Sequence, residues 1–241
     1  MLREIRKKLV ILHNRSPFPE NVKEHLKELE YREWIYMNME LSASSLSREQ
    51  IDAILQGQCV LEAAVEDHLM LERLNQLRNY IYQLTDMGSN LSLQVIRGMH
   101  TILTGADEWE GFRRTDGIVQ EYGTALLHTA SIPAALEGVV YFAGKKEEGE
   151  NPLEKAALIH NRMLEIYPYE EGNASLARAV MYYILADAGY PLAAVKLGCE
   201  EYRQLFLHYL KLRDSSGLAK VLGQAVLERL ELMMELTRYE I

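Results

Sequence analysis

Cysteine is scarce in this chain: Cys59 and Cys199 are the only two among 241 residues. They form no CxxC pair and no Cys/His cluster, which excludes a disulfide framework and a structural zinc site by spacing. Such sparse cysteine is typical of a reducing compartment. The first residues, MLREIRKKLVILHN, contain an apolar run too short for a secretory signal. A cytoplasmic location is therefore expected.

The chain also has no long apolar run and no excess of basic residues. No stretch of about 18 consecutive apolar residues occurs, so a membrane-spanning helix is not expected. Lys and Arg total 26 against 35 Asp and Glu, a formal net charge of -9. Because binding to nucleic-acid phosphates requires a basic face, this charge argues against a nucleic-acid partner. The 48% hydrophobic and 25% charged residues are typical of a soluble globular protein.

Only six Pro and fifteen Gly interrupt the chain, and apolar residues recur at helical spacing nearly throughout. We predict an all-α fold with one β-hairpin, in which residues 118–122 and 125–128 are short strands around a Gly-Thr turn. In this interpretation N-terminal helices over residues 1–57 and a core over residues 58–241 form one compact unit. The predicted helices cover residues 5–13, 21–39, 47–57, 61–84, 91–103, 133–142, 153–166, 173–188, 200–213 and 218–237.

The most informative segment is residues 166–178, whose pattern predicts a helix, a tight turn and the start of another helix. Pro168 prevents the first helix from continuing. In the turn, residues 171–174 present free amide groups at the positive end of the second helix, where anions such as phosphate bind. Glu171 is an oxygen ligand suited to Mg²⁺, and Arg178 is spaced to reach a bound phosphate.

A simpler interpretation of the same segment is a capped helix. Asn173 is then an ordinary N-cap, Glu171 favours the helix dipole, and Arg178 lies on the surface. From these residues alone the simpler interpretation is favoured.

The wider pattern changes this balance. Residues 167–178, YPYEEGNASLAR, align without a gap to HPFx(D/E)GN(G/K)RxxR, the motif of the Fic/Doc (Fido) family, which this chain resembles. The resemblance covers about residues 40–215 and includes the turn 111–114 and the segment 115–130, where the family has a β-hairpin flap. It implies a Fic fold, an all-α helical bundle core with a small hairpin flap.

The resemblance also implies an activity, because this family moves AMP from ATP to a hydroxyl of a target protein. ATP and Mg²⁺ are then the expected cofactors, and a target or regulatory protein is the expected partner. The motif's histidine is the general base, and its acidic residue, here Glu171, holds Mg²⁺. By the same alignment the phosphate-binding positions are Gly172, Asn173, Ala174, Ser175 and Arg178. The flap positions expected to contact a target are Ile118, Val119, Gln120, Glu121, Tyr122 and His128.

Three positions depart from the motif. Tyr167 replaces the histidine, and since tyrosine titrates near 10 rather than near 6.5, only about one molecule in a thousand carries a phenolate at pH 7. Because the phenolate is so rare, the activation free energy of the transfer reaction rises by on the order of 4 kcal/mol. Ser175 replaces an arginine that stabilises phosphate charge, and Ala174 replaces a glycine that allows close backbone approach. Together they predict a catalytically impaired protein or pseudoenzyme that keeps part of the anion hole.

The family's inhibitory helix is altered as well. Residues 45–50 match the start of the helix that follows it, and residues 47–50 form a capping-box pattern. Gapless alignment then places Ser42 where the inhibitory glutamate belongs, and Glu40 would take that role only with a two-residue shift. Loss of the inhibitor is consistent with loss of the base.

Two other functions stay open. One is an active transferase in which Tyr167 or His128 replaces the general base, although His128 is expected mainly as a strand-surface residue. The other is a helical protein-interaction module without ligand or cofactor. Relatives often dimerise, so a homodimer is also considered. His160, seven residues before Tyr167, is predicted to be a structural hydrogen-bonding residue beneath the motif, and His100 is expected to be similar.

Overall fold

The computed structural model describes residues 1–106, 111–145 and 148–238. This described part of the chain consists of ten α-helices, a two-stranded antiparallel hairpin and one short 3-10 helix, which confirms the predicted helical core with a small flap. The helices are α1 (Leu2–Arg15), α2 (Glu20–Leu41), α3 (Arg48–Leu55), α4 (Val65–Asp86), α5 (Leu93–Thr104), α6 (Ile132–Gly144), α7 (Pro152–Ile166), α8 (Asn173–Asp187), α9 (Cys199–Leu212) and α10 (Ser216–Leu236). The strands are β1 (Ile118–Val119) and β2 (Thr124–Ala125), with Ile118 opposite Ala125.

Helix α8 runs through the centre of the molecule. Nearly every residue from its start to Leu185 is buried, as expected for a helix that is largely apolar on all sides. Helices α4, α5 and α7 pack against it, α10 packs on α7, and α1 packs on α10. Trp34 of α2 belongs to the same core, and its indole N–H donates to the main-chain O of Leu74 at 2.9 Å. None of the helices in the described ranges is long and apolar enough to cross a bilayer.

Helix starts depend on caps, which apolar periodicity does not reveal. The capping box predicted at residues 47–50 is confirmed, since Ser47 and Gln50 exchange side-chain and main-chain hydrogen bonds at 2.9 and 3.2 Å. The helix predicted from residue 61 begins instead at Val65, because the Asp67 carboxylate accepts from the N–H of Ala64 at 2.9 Å and ends the preceding turn there.

The hairpin is shorter than predicted, and its turn is not Gly-Thr. The chain turns immediately after β1, where the main-chain O of Val119 accepts from the N–H groups of Tyr122 and Gly123 at 3.1 and 2.8 Å. Residues 126–128 lie outside β2. His128 is therefore not a strand residue: it precedes the 3-10 helix Thr129–Ser131, and its Nδ1 accepts from the N–H of Ala130 at 3.2 Å.

Candidate active site

A six-residue segment, 167–172, connects α7 to α8 and is called the motif loop below. It begins and ends with residues in the left-handed region: Tyr167 has φ 48° and ends α7, and Gly172 has φ 74° and is the N-cap of α8. Glycine is required at 172 for a second reason, since a Cβ there would lie 2.9 Å from Cγ2 of Thr104 on α5. The motif loop is therefore pressed closely against α5.

Asn173 is not the N-cap that the simpler interpretation predicted. It is the first residue of α8, and its buried side chain is turned back toward the motif loop. Its Oδ1 accepts from the N–H of Tyr169 at 3.0 Å, and its Nδ2 donates to the main-chain O of Tyr169 at 2.8 Å. The side chain thus holds the loop in shape, and the start of α8 has no side-chain cap within the described residues.

A stacked pair of rings holds the motif loop against α5. Tyr169 stacks on His100 of α5 with ring centroids 3.6 Å apart and nearly parallel planes. His100 Nε2 also donates to the main-chain O of Glu171 at 3.2 Å, which is the structural role expected for this histidine. The backbone of Glu171 is thereby fixed while its carboxylate is exposed.

A metal ligand cluster does not accompany Glu171. No group of three or more His, Cys, Asp or Glu side chains arranged for a metal occurs among the residues described. One exposed carboxylate beside an uncapped helix start nevertheless has the chemistry that suits Mg²⁺, which binds one or two carboxylates in proteins and keeps several waters.

Arg113 is a buried residue beside the motif loop that the sequence pattern does not single out. Its side chain is 1% exposed, and its guanidinium donates to main-chain oxygens of the motif loop and of both ends of the hairpin region. The turn 111–114 was recognised as a family feature, but it contains two arginines. Only the folded chain shows that Arg113 is the buried one, whereas Arg114 is exposed.

Residues 117–126, called the flap below, are attached to the core rather than free. Tyr122 is buried edge-on against Phe206 of α9, with ring centroids 4.8 Å apart, and Val119 is buried as well. Arg203 of α9 donates to the main-chain O of Glu121 at 3.2 Å. Of the predicted target-contacting positions, Val119 and Tyr122 therefore face the core, while Ile118, Gln120 and Glu121 are exposed.

The described contacts of His128 are with residues other than Tyr167. Its side chain is 70% exposed, and its Nε2 lies 3.3 Å from the carboxylate of Asp116. With Nδ1 accepting from Ala130, both ring nitrogens are engaged locally.

Tyr167 itself is half-buried at the end of α7. Burial raises the pKa of its phenol above the usual value near 10, and the nearby Glu121 carboxylate raises that pKa further. The phenolate, the form that could accept a proton, is thus even less populated at neutral pH than in a solvent-exposed tyrosine.

Arg178 is fully buried, so its predicted surface position is wrong. Its Nε donates to Oδ1 of Asn38 at 3.0 Å, and its Nη2 donates to the hydroxyls of Ser42 and Ser175, each at 2.9 Å. Its Nη1 is buried without a hydrogen-bond partner in the described part of the chain. The guanidinium also lies over the ring of Tyr202, 5.8 Å from its centroid.

The end of α2 meets Arg178 in the register that gapless alignment predicts. Ser42 contacts the guanidinium, whereas the exposed Glu40 side chain lies 3.9 Å from Arg48. The two-residue shift that would bring Glu40 to Arg178 does not occur.

His160 has the structural position predicted for it. Its Nδ1 donates to Oδ1 of Asn161 at 3.0 Å, and its Nε2 accepts from the hydroxyl of Tyr202. Complete burial lowers the pKa of this imidazole to about 4, so it is neutral in the folded protein near pH 7.

The fold and this site define a class: a helical protein with an uncapped helix N-terminus and a tight loop beside a hairpin flap. Residues 90–185, which extend from just before α5 to near the end of α8, match the Fic/DOC family. This match covers about two fifths of the chain and supports membership of the family.

Relatives of known name are distant. The chain is 22% identical over 197 residues to "Protein adenylyltransferase Fic" of Drosophila grimshawi, covering 80% of this chain and 40% of that protein. It is 29% identical over 133 residues to "Protein adenylyltransferase and cysteine protease IbpA" of Histophilus somni, covering 54% of this chain and 3% of that protein. The chain therefore spans less than half the length of either relative.

Solved structures share the fold. A Fic domain containing signaling protein from Bacteroides thetaiotaomicron superposes with a TM-score of 0.82 at 19% identity, covering 97% of this chain and 96% of that one. Fic-1 from C. elegans (residues 134–508) gives a TM-score of 0.77 at 19% identity, covering 98% of this chain and 70% of that one.

Proposed function

We propose that this chain is a Fic-family protein that binds a nucleotide through the start of α8 and does not transfer AMP at neutral pH. The observation that carries the proposal is the pairing of two features at one loop. An uncapped helix N-terminus offers main-chain amides to a phosphate. Beside it, the position of the general base is occupied by Tyr167, whose pKa is raised.

The absence of AMP transfer is explained by the proton-transfer step of the reaction. Transfer of AMP to a protein hydroxyl requires that the hydroxyl lose its proton as the new P–O bond forms. A phenol with a pKa above 10 is deprotonated in fewer than about one molecule in a thousand at pH 7. Ser175 supplies no cation for the leaving phosphates, and its hydroxyl already accepts from Arg178.

The binding half of the proposal assigns three roles. The amides of residues 172–174 bind a phosphate, the exposed Glu171 carboxylate holds Mg²⁺ with the phosphates, and Arg178 provides positive charge behind the loop. Mg²⁺ would neutralise phosphate charge when bound. The neutral partners of Arg178, Ser42 and Asn38, leave that charge available to an anionic ligand.

A protein partner follows from the same reasoning, since the flap exposes Ile118, at 59% of its surface, beside the motif loop. We assign the exposed flap residues to contact with a target or regulatory protein. Cytoplasmic location, a homodimer and the division at residue 57 stay predictions from the sequence.

Nucleotide binding is tested by thermal and urea unfolding with ATP and Mg²⁺. At 100 times its dissociation constant a ligand adds about 2.7 kcal/mol to the free energy of unfolding. Glu171→Gln should remove the Mg²⁺-dependent part of this gain, and because this side chain is exposed the substitution should leave the fold intact. The absence of any ATP-induced shift would instead favour a ligand-free interaction module.

Transfer is tested with labelled ATP, Mg²⁺ and cell lysate. The wild type and Tyr167→Phe should label nothing, and Tyr167→His should gain labelling because imidazole titrates near the working pH. Labelling by the wild type would establish the alternative, an active transferase with a substituted base. If Tyr167→His binds ATP but stays silent, the block lies at Ala174 and Ser175 rather than at the base.

A further inference from the structure

Arg113 joins three separate stretches of backbone. Its Nε donates to the main-chain O of Tyr167 in the motif loop at 2.7 Å. Its Nη1 donates to the main-chain O of Thr115, before the flap, at 2.7 Å, and its Nη2 donates to that of Leu127, after the flap. The main-chain N–H of Arg113 adds a bond to the main-chain O of Pro168 at 2.9 Å.

This arrangement uses properties that arginine has and lysine lacks. A guanidinium directs its donors along fixed directions in a plane, so one side chain satisfies carbonyls that belong to different segments. The side chain is almost fully buried, and Asp116, the carboxylate nearest to it among its ion-pair partners in the described residues, lies 3.6 Å away. Main-chain oxygens rather than a carboxylate therefore surround the charge.

We propose that Arg113 is a positioning residue that makes the motif loop and the flap open and close as one cooperative unit. Without it, the flap would be attached to the core through α9 by Tyr122 and Arg203, and the motif loop through α5 by His100. The buried Arg113 side chain connects these two attachments, beside an exposed link in which the Glu170 carboxylate accepts from the N–H of Arg114 at 2.9 Å. The consequence for ligands rests on the proposed function. A phosphate bound at the motif loop should also stabilise the flap against opening, and a partner bound to the flap should stabilise the motif loop.

Amide hydrogen exchange on the protein without nucleotide tests this directly, so the result is independent of whether ATP binds. The reporter in the flap is the N–H of Leu126, which donates to the main-chain O of Gly117 at 2.8 Å. The reporters for the loop are the N–H at position 113 and the N–H of Tyr169. In the wild type, flap and loop reporters should open with the same free energy and the same denaturant dependence.

Arg113→Lys keeps the charge and the buried stem but cannot bond to three segments at once. We expect exchange at both sets of reporters to accelerate by about 10- to 100-fold, the range for losing hydrogen bonds to a charged group. Amides in the middle of α8 should be unchanged, which separates local opening from global destabilisation.

Arg203→Gln is the matched control, because Arg203 contacts the flap at Glu121 and does not touch the motif loop. In the presence of Arg113 it should accelerate exchange at the flap and loop reporters by the same factor, and when combined with Arg113→Lys it should accelerate exchange in the flap alone. Acceleration at only one set of reporters in Arg113→Lys would overturn the proposal. If Arg113→Lys does not fold, the wild-type protein provides the test through a comparison of its flap and loop reporters. Opening constants that differ by more than about tenfold between the two sets would contradict one cooperative unit.

Discussion

At the scale of single residues, Arg178 is the main electrostatic feature of the site. Moving a guanidinium out of water costs several kcal/mol unless other groups replace the lost hydration. Here the described contacts are one amide oxygen, two hydroxyls and the Tyr202 ring, all neutral. One donor, Nη1, stays unpartnered among the described residues. Residue 178 is therefore a fixed positive charge whose compensation is incomplete.

A carboxylate at position 42 should complete that compensation. Ser42→Glu places an acid beside a buried arginine, and a charge-assisted hydrogen bond contributes about 1.5 to 3 kcal/mol. We expect the free energy of unfolding to rise by that amount and any ATP-induced stabilisation to weaken, since the new carboxylate competes for the same charge. The measurement is urea unfolding at pH 7 with and without ATP.

The pH dependence of this variant has a defined sign. Arg178 would hold the pKa of the new carboxylate below its unfolded value near 4.3. The added stability is then fully present above pH 4.3 and is lost as the pH falls through the lower folded value. Ser42→Gln, of similar size and without charge, should show neither the gain nor the pH dependence. An equal gain from glutamine would mean that packing, not charge, is responsible.

At the scale of elements, the contact between the motif loop and α5 limits what position 172 accepts. Gly172 combines a positive φ of 74° with a blocked Cβ direction, 2.9 Å from Thr104 Cγ2. Helix α8 can begin where it does only because both conditions are met. The same contact brings the start of α8 close to His100 and the ring of Tyr169.

Gly172→Ala should therefore destabilise the protein by two additive causes. The left-handed conformation costs about 1 to 2 kcal/mol for a residue with a Cβ, and the steric conflict adds about 1 to 3 kcal/mol. Urea unfolding of Gly172→Ala, Thr104→Ser and the double variant separates them, because serine lacks the conflicting methyl group. We expect the double variant to recover the steric part only.

Gly189→Ala is the control for conformation alone, since Gly189 has φ 78° and open space around its Cβ direction in the described structure. Its loss should equal the part that Thr104→Ser does not restore. Equal losses for Gly172→Ala and Gly189→Ala would contradict the close approach of the loop to α5.

At the scale of the whole molecule, a buried polar network connects three helices behind the site. His160 of α7 bonds to the hydroxyl of Tyr202 of α9 and to Oδ1 of its neighbour Asn161. Asn161 Nδ2 donates to the hydroxyl of Ser215, the N-cap of α10, at 3.0 Å. Nδ1 of the imidazole donates to Asn161, and complete burial disfavours the charged form of the ring. Protonation of His160 is therefore costly in the folded protein.

Global stability should consequently fall in mild acid. The imidazole has a pKa of about 4 in the folded protein and near 6.5 in the unfolded chain. Above pH 6.5 it is neutral in both states and contributes no pH dependence. As the pH falls from 6.5 to 4 the unfolded chain gains a proton that the folded protein does not, so the free energy of unfolding decreases by about 3 kcal/mol.

Urea unfolding at several pH values between 7 and 4 measures this slope. His160→Gln is the comparison, because glutamine retains a donor and an acceptor and has no proton to gain. The variant should be less stable at pH 7 and should lack this part of the slope. An unchanged slope in His160→Gln would show that other groups cause the acid sensitivity.

The family was inferred from the resemblance of residues 167–178 to its motif. Local patterns were enough to predict the helical class, the capping box at residues 47–50, the break at Pro168 and the structural role of His160. These depend on periodicity, caps and short spacings, which act between residues that are close along the chain. The register of Ser42 against residue 178 came from the family alignment rather than from any local pattern.

Packing between distant segments determined which partners the buried polar side chains of the site have. Arg178 bonds to Asn38, 140 residues away, Arg113 bonds to Tyr167, 54 residues away, and Asn173 turns inward to Tyr169 instead of capping its own helix. An exposed and a buried arginine have the same sequence signal, and so do an outward and an inward asparagine. The burial of their surroundings, which arises only when α2, α5 and α7 close around α8, determines which partners their donors and acceptors find.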